Sequence, residues 1–208
     1  MSNSTGPNQP QFQSPVGRLV VISGPSGVGK TTVLQQLMET CPLPLQISVS
    51  ATTRPPRPGE VPGVSYHFLS EDEFQHKRER DEFLECVEVF GRGHWYGTLR
   101  DSVYTNLKAG NWVILEIDVV GASDVIQKHP DALSIFIHPG SMDELERRLR
   151  NRGTEEEASL QRRLEVARQE LAAASQYQYR VINQSVEQTV SEICQLLKDE
   201  EQSACMMN

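Results

Sequence analysis

Arg18-Leu19-Val20-Val21-Ile22-Ser23-Gly24-Pro25-Ser26-Gly27-Val28-Gly29-Lys30-Thr31 joins an apolar run rich in β-branched residues to a glycine-rich turn ending in Lys-Thr. The run Arg18–Ser23 predicts a strand buried on both faces. Gly24 to Thr31 fits the spacing GxxxxGK[ST], and a helix expected from about Lys30 completes a strand–loop–helix unit. In that arrangement the loop made by Gly24, Pro25, Ser26, Gly27, Val28 and Gly29 turns backbone N–H groups inward, at the positive end of the helix dipole. Lys30 then reaches the β- and γ-phosphates of a bound nucleotide, and the Thr31 hydroxyl is placed to ligate Mg²⁺. The motif points to a nucleoside triphosphate such as ATP. It says nothing about what receives the phosphate.

Outward from this unit, strand and helix signals alternate, which argues for a parallel sheet rather than segregated α and β parts. Leu45–Ser50 reads as a second strand, followed by a Pro/Arg/Gly loop at Ala51–Gly63. Ser70-Glu71-Asp72-Glu73 is a capping-box signature, and Phe83–Phe90 a further strand. Thr98–Ala109 reads as a helix, Trp112–Ile117 as a buried strand, Val119–Lys128 as a helix and Leu133–Ile137 as another core strand. Ser141-Met142-Asp143-Glu144 repeats the capping box ahead of an arginine-rich helix. Glu155–Ser175 reads as a long helix, Tyr179–Ile182 as a short strand and Ser185–Asp199 as a closing amphipathic helix. The expected fold is α/β of the P-loop nucleoside triphosphate hydrolase type, a central parallel sheet flanked by helices. Residues 17–200 form its domain, between a disordered tail at 1–16 and a frayed one at 201–208.

The 208 residues carry a net charge of −8, which argues against nucleic acid as the principal partner, because neutralising its phosphates requires a basic footprint. Arginine is nevertheless dense between Arg147 and Arg168, so a local anion site fits inside an acidic whole. Cys41, Cys86, Cys194 and Cys205 show no zinc-ligand spacing and suit a reducing, cytoplasmic compartment. No stretch approaches the length of a membrane span, and the N-terminus lacks the pattern of a secretion signal. Monomer and homo-oligomer both remain open.

The loop Ser48-Val49-Ser50-Ala51-Thr52-Thr53-Arg54-Pro55-Pro56-Arg57-Pro58-Gly59-Glu60 sets Arg54 and Arg57 three residues apart in a proline-stiffened segment, a spacing suited to forking a dianionic phosphate. Together with Phe83-Leu84-Glu85, Tyr96-Gly97-Thr98, Leu115-Glu116-Ile117-Asp118 and Arg148…Arg152-Gly153-Thr154…Arg163, it closely resembles the guanylate kinase family. The resemblance covers Gly17 to Leu197. It implies phosphoryl transfer from ATP to GMP or dGMP, with a core at 17–49 and 98–200, a GMP-binding region at about 50–97 and a lid at about 148–163. Arg54, Arg57, Tyr66 and Tyr96 would hold the GMP phosphate. Ser50, Glu85 and Thr98 would read the guanine, with Glu116 adjoining. A carboxylate accepts from guanine N1–H and the N2 amine, a pair of donors that adenine does not offer on that edge. Arg148, Arg152 and Arg163 match the lid arginines and, with Lys30 and Arg54, would stabilise charge on the moving phosphoryl group. Asp118 would orient a Mg²⁺-bound water, and Asn183 would lie near the donor adenine.

One departure stands out: Phe90-Gly91-Arg92-Gly93-His94-Trp95-Tyr96-Gly97 is two residues longer than the usual family segment. His94 reads as a hairpin-tip residue, since in-line transfer between bound phosphates needs no base of that kind. Two rival readings are disfavoured by residues. A scaffold that had lost catalysis would typically have lost Lys30 and the lid arginines. A kinase of a phosphorylated sugar would keep the cradle without the arginine loop and Glu85.

Overall fold

The strand β1 (Leu19–Ser23) runs through the middle of a five-stranded sheet and hides Val20, Val21 and Ile22 completely. The structure is a computed structural model and describes residues 17–89, 93–151 and 157–206. After the cradle loop come α1 (Lys30–Thr40), β2 (Leu45–Ile47), β3 (Ala51–Thr52), β4 (His67–Phe68) and α2 (Glu71–Glu79). The chain continues through β5 (Phe83–Val89), β6 (His94–Leu99), α3 (Arg100–Lys108), β7 (Trp112–Glu116) and α4 (Val119–Lys128). It ends with β8 (Leu133–His138), α5 (Met142–Asn151), α6 (Glu157–Ala172), β9 (Tyr179–Ile182) and α7 (Val186–Met206).

The main sheet has the order β2-β7-β1-β8-β9, and all its pairings are parallel. Because side chains alternate along a strand, Val20 and Ile22 face one side and Val21 the other. The first side packs on α1 and α7 through Leu34, Leu37, Ile193 and Leu197. The second meets α3 and α4 through Val103, Ala122 and Val125. Helices on both faces explain why the central strands β1, β7 and β8 are largely apolar rather than alternating. This arrangement puts the loops after β1 and β7 at the carboxyl edge of the sheet, where ligands of parallel α/β folds bind.

A second sheet, β4-β3-β6-β5, stands beside the first. It corrects two sequence readings. Ala51 and Thr52, expected in a loop, form β3 because they are wholly buried between β4 and β6. Thr98 and Leu99, expected to open a helix, instead finish β6, which pairs antiparallel with β5. The glycine in His94–Leu99 obscured this strand, and the pairing requires it: a Cβ on Gly97 would lie 2.9 Å from the Phe83 ring. The capping box at Ser70 is complete, with reciprocal Ser70 and Glu73 hydrogen bonds. At Ser141 the hydroxyl accepts from the Glu144 amide, while the Glu144 carboxylate turns to Arg147 and Arg148.

At the C-terminus α7 runs on through Met206, past the expected start of a frayed tail. Asp199 to Ala204 contains no glycine or proline to stop the helix. The extension also has a tether: Arg18 Nη1 donates to the Glu200 carbonyl at 3.0 Å and to its carboxylate at 3.1 Å, and Tyr179 Oη donates to the same carboxylate at 2.7 Å. Removing residues 200–208 should therefore lower unfolding free energy by about 1–2 kcal/mol, the scale of a few partly buried hydrogen bonds. Urea denaturation checks this, and turnover of the folded protein should be unchanged.

Candidate functional site

The cradle has the shape its glycines allow. Gly24, Gly27 and Gly29 all have positive φ, at 148°, 91° and 100°. A Cβ on Gly24 would collide with the Ile137 carbonyl oxygen, and one on Gly27 would come 2.5 Å from a Leu149 methyl. Lys30 Nζ donates to the Gly24 carbonyl at 2.6 Å and the Pro25 carbonyl at 3.3 Å. Burial lowers the Lys30 pKa, while Glu116, Glu170 and Asp118 oppose that shift.

A cavity of about 700 Å³ opens from this loop. Gly24, Ser26, Lys30 and Thr31 line one end, and Ser50, Tyr66, Glu85 and Tyr96 the other, with Glu116 and Asp118 between. Glu85 is 4 % exposed and accepts from the Thr98 hydroxyl at 2.7 Å. Burial pushes its carboxyl up to about 7, the Thr98 hydrogen bond opposing the shift and nearby Asp118 and Asp124 adding to it. Gly121 makes room for this group, since a Cβ there would lie 2.6 Å from Glu85 Oε2. Asp118 caps α4 by accepting from the Gly121 amide at 2.8 Å.

Arg54 is 8 % exposed and stands behind the cavity wall. Its Nη1 and Nη2 each donate to Glu60 at 2.9 Å, and its Nε donates to Tyr96 Oη at 3.1 Å. The Tyr96 hydroxyl thus keeps its own proton to donate. The Arg54 guanidinium also lies 5.3 Å from the Tyr66 ring centre, and the Tyr66 and Tyr96 rings meet edge to face. The Glu60 hydrogen bonds hold the Arg54 pKa above its ordinary value and the Glu60 carboxyl below the usual range. The Arg57 side chain is exposed in the adjoining loop.

On the donor side Arg148 Nη1 donates to the Val28 carbonyl at 3.2 Å and Nη2 to the Asn183 carbonyl at 2.7 Å. Asn183 Nδ2 donates to the same Val28 oxygen at 2.7 Å. Gly27, Gly29, Thr32, Arg147, Arg148 and Asn183 line a second cavity of about 390 Å³ on this side. Arg163 Nη2 donates to the Ser26 hydroxyl at 2.9 Å. Arg152, expected among the lid arginines, lies outside the described residues, as does Arg92 of the longer segment. His94 opens β6 beside that segment, paired with Val89.

Two features escaped the sequence reading. The Thr31 hydroxyl donates to Glu116 Oε1 at 2.8 Å, which ties Glu116 to the cradle hydroxyl as it lines the same cavity. Glu170 also reaches the cradle, accepting from the Ser26 amide at 3.3 Å. The one available signal was that Arg163, Ala167 and Glu170 share a helix face by their spacing.

The family model described as guanylate kinase matches residues 16–200. A guanylate kinase of Rhodopirellula baltica is 59% identical over 194 residues, 92% of this chain and 93% of that protein. One from a Synechococcus species is 50% identical over 181 residues, 87% of this chain and 82% of the relative. The crystal structure of guanylate kinase from Anaplasma phagocytophilum superposes with a TM-score of 0.73 at 33% identity, covering 89% of this chain and 86% of that one. With the cradle, the buried carboxylate and the arginine–tyrosine cluster around one cavity, these matches establish that the chain belongs to the guanylate kinase family.

Proposed function

We propose that this chain transfers the γ-phosphate of ATP to GMP, giving ADP and GDP. One observation carries the reading: the glycine-rich loop with Lys30 and the buried carboxylate of Glu85 line a single cavity. The cradle amides and Lys30 take the donor phosphates. Arg148 and Asn183 hold the loop from behind, beside the smaller cavity proposed for the donor base. Glu85, positioned by Thr98, accepts from guanine N1–H and N2–H, and Ser50 adjoins it. Tyr66, Tyr96, Arg54 and Arg57 take the acceptor phosphate. Arg54 is already paired with Glu60, so an incoming phosphate exchanges one anion for another at a preset fork.

Thr31, Glu116 and Asp118 form a hard oxygen donor set beside Lys30, which fits a Mg²⁺ ion that keeps most of its ligands from water and phosphate. When bound, Mg²⁺ supplies charge neutralisation on the transferring phosphates. Placing Glu116 on this ion, through the Thr31 hydrogen bond, refines its expected acceptor-side role. The transfer is in line between the two bound nucleotides, with no covalent enzyme intermediate. Lys30, Arg54, Arg148, Arg152 and Arg163 are the cations proposed to stabilise it, and residues at about 148–163 are the proposed lid that excludes water. Among the described residues no helix is long and apolar enough to cross a membrane. Free thiols at Cys41, Cys86 and Cys194 support a cytoplasmic setting.

A panel of GMP, dGMP, AMP, UMP, CMP and a sugar phosphate, each with ATP and Mg²⁺, tests the assignment; GMP should lead AMP by several orders of magnitude. Lys30→Met should cut kcat about a thousandfold with the fold intact, as expected on losing a principal transition-state cation. A folded variant keeping a tenth of wild-type turnover would overturn that role. Glu85 makes a sharper prediction. Its carboxyl titrates near 7, and the protonated acid cannot accept both guanine donors, so GMP kcat/KM should fall about tenfold per pH unit below that value. Glu85→Gln should lose roughly 2–4 kcal/mol of GMP kcat/KM above pH 7, and the acid limb should disappear. Stability should move the opposite way. A raised folded pKa favours the native state in acid, and the advantage is lost as pH rises through about 7. Glu85→Gln should accordingly raise the melting temperature at pH 8 and leave it nearly unchanged at pH 4.

A further inference from the structure

Ser26 is gripped twice by the same helix. Its amide donates to Glu170 Oε2 at 3.3 Å, and its hydroxyl accepts from Arg163 Nη2 at 2.9 Å. Arg163 and Glu170 lie seven residues apart, two turns of α6, and so project from one side. The hydrophobic seam of Leu160, Leu164 and Ala167 packs α6 on Leu145 and Leu149 of α5, and Leu149 lies against Gly27 of the cradle. The helix is therefore seated on the phosphate loop itself. Glu170 also lines the cavity that holds Lys30. Burial raises its carboxyl, and Lys30 is the principal charge opposing that shift.

We propose that Glu170 is a placeholder anion for the phosphate cradle, a positioning residue whose carboxylate occupies the Ser26 amide and screens Lys30 until the donor triphosphate displaces it. The Ser26 N–H has one proton to give, and a phosphate oxygen seated in the loop competes for it with Glu170. Lys30 feels the charge of three carboxylates on this wall, Glu116, Glu170 and Asp118, without contacting them, and a triphosphate adds further negative charge. Glu116 is bonded to Thr31 and Asp118 to the α4 amide, whereas Glu170 is held by an amide of the glycine-rich loop itself. It is thus the carboxylate that donor binding displaces. Arg163, on the same side of the helix, keeps the Ser26 hydroxyl in place while the amide changes partner.

The proposal rests on the donor-cradle reading, and the test separates the two. Calorimetric titration with inorganic tripolyphosphate, without metal ion or acceptor, reads the cradle alone. Glu170→Gln keeps the shape and removes the charge, and it should bind tripolyphosphate about five- to twentyfold more tightly, with GMP affinity within about twofold of wild type. Glu170→Asp withdraws the carboxylate by one methylene and should tighten binding about two- to fivefold, which keeps the test valid if the glutamine variant does not fold. In steady state the gain should appear as a lower KM for ATP, not for GMP. Unchanged or weaker tripolyphosphate binding by both folded variants overturns the placeholder role, as does an equal gain for GMP, which would mark a general charge effect. If wild type does not bind tripolyphosphate, or binds it no better than Lys30→Met does, the cradle reading itself fails.

Discussion

A loop that offers its N–H groups to a phosphate gives up the helix or ladder that would otherwise fix its shape, so its carbonyls must be tied down from outside. The rest of this molecule is arranged around that constraint. The Val28 oxygen takes Asn183 Nδ2 and Arg148 Nη1, and the Gly24 oxygen takes Lys30 Nζ. Asn183 is itself fixed by Thr189 of α7, whose hydroxyl donates to Asn183 Oδ1 at 3.0 Å. Residues near both ends of the sequence thus hold one loop, which requires β9 and α7 to be in register with β1 before the cradle is complete. Parallel β8 provides that register, pairing with β1 on one side and β9 on the other. Charge stabilisation by fixed dipoles depends on such support, because donors that must reorient cost free energy when the reaction occurs.

The acceptor end reaches the same goal by a different route. No glycine loop presents amides there; instead the small sheet supplies side chains held by one another. Arg54 lies against the Tyr66 and Phe68 rings, bridged to Glu60 and bonded to Tyr96. An arginine held this way loses little further rotamer freedom on meeting a phosphate, which makes its fork more useful than a free one. The cost is an anion, Glu60, that must yield its partner. The loop and the buried arginine therefore share a device: each is engaged by a carboxylate, Glu170 on the Ser26 amide and Glu60 on the Arg54 guanidinium.

The parts legible in the sequence were those encoded contiguously. Gly24 to Thr31 carries its spacing, its strand and its helix within fourteen residues from Arg18. The main strands announced themselves because burial on both faces leaves unbroken apolar runs. β3 did not, since two residues running into an arginine- and proline-rich loop carry no periodicity, and only pairing with β4 and β6 makes them a strand. β6 was hidden by Gly97, whose missing side chain is a packing requirement set by Phe83 on another strand. Contacts such as Thr31 to Glu116 and Ser26 to Glu170 are invisible for the same reason. They join positions 85 and 144 residues apart, and a carboxylate on a helix has the same sequence signature whether it faces water or a phosphate loop. The resemblance placed Arg148 and Asn183 in the donor site, but only the geometry shows both bound to the Val28 carbonyl.

The charge distribution around the cavity is unusual for a protein that handles two phosphorylated substrates. The chain carries −8 overall, and Glu60, Glu85, Glu116, Asp118 and Glu170 all line the space into which the nucleotides must go. Long-range attraction therefore does not bring the substrates in, and at physiological salt it would in any case fade beyond about 8 Å. Affinity has to be local. It comes from amides aimed at a point, an arginine fork already in shape and a lysine whose burial makes its interaction with phosphate strong. Short-range donors of this kind discriminate by geometry, whereas a diffuse positive field would admit any polyanion. On the proposed reading the carboxylates add to the discrimination, because a ligand without donors for Glu85 leaves that buried group unpaired. An acidic cavity built on a few well-placed cations thus suits a selective phosphotransferase better than a basic one would.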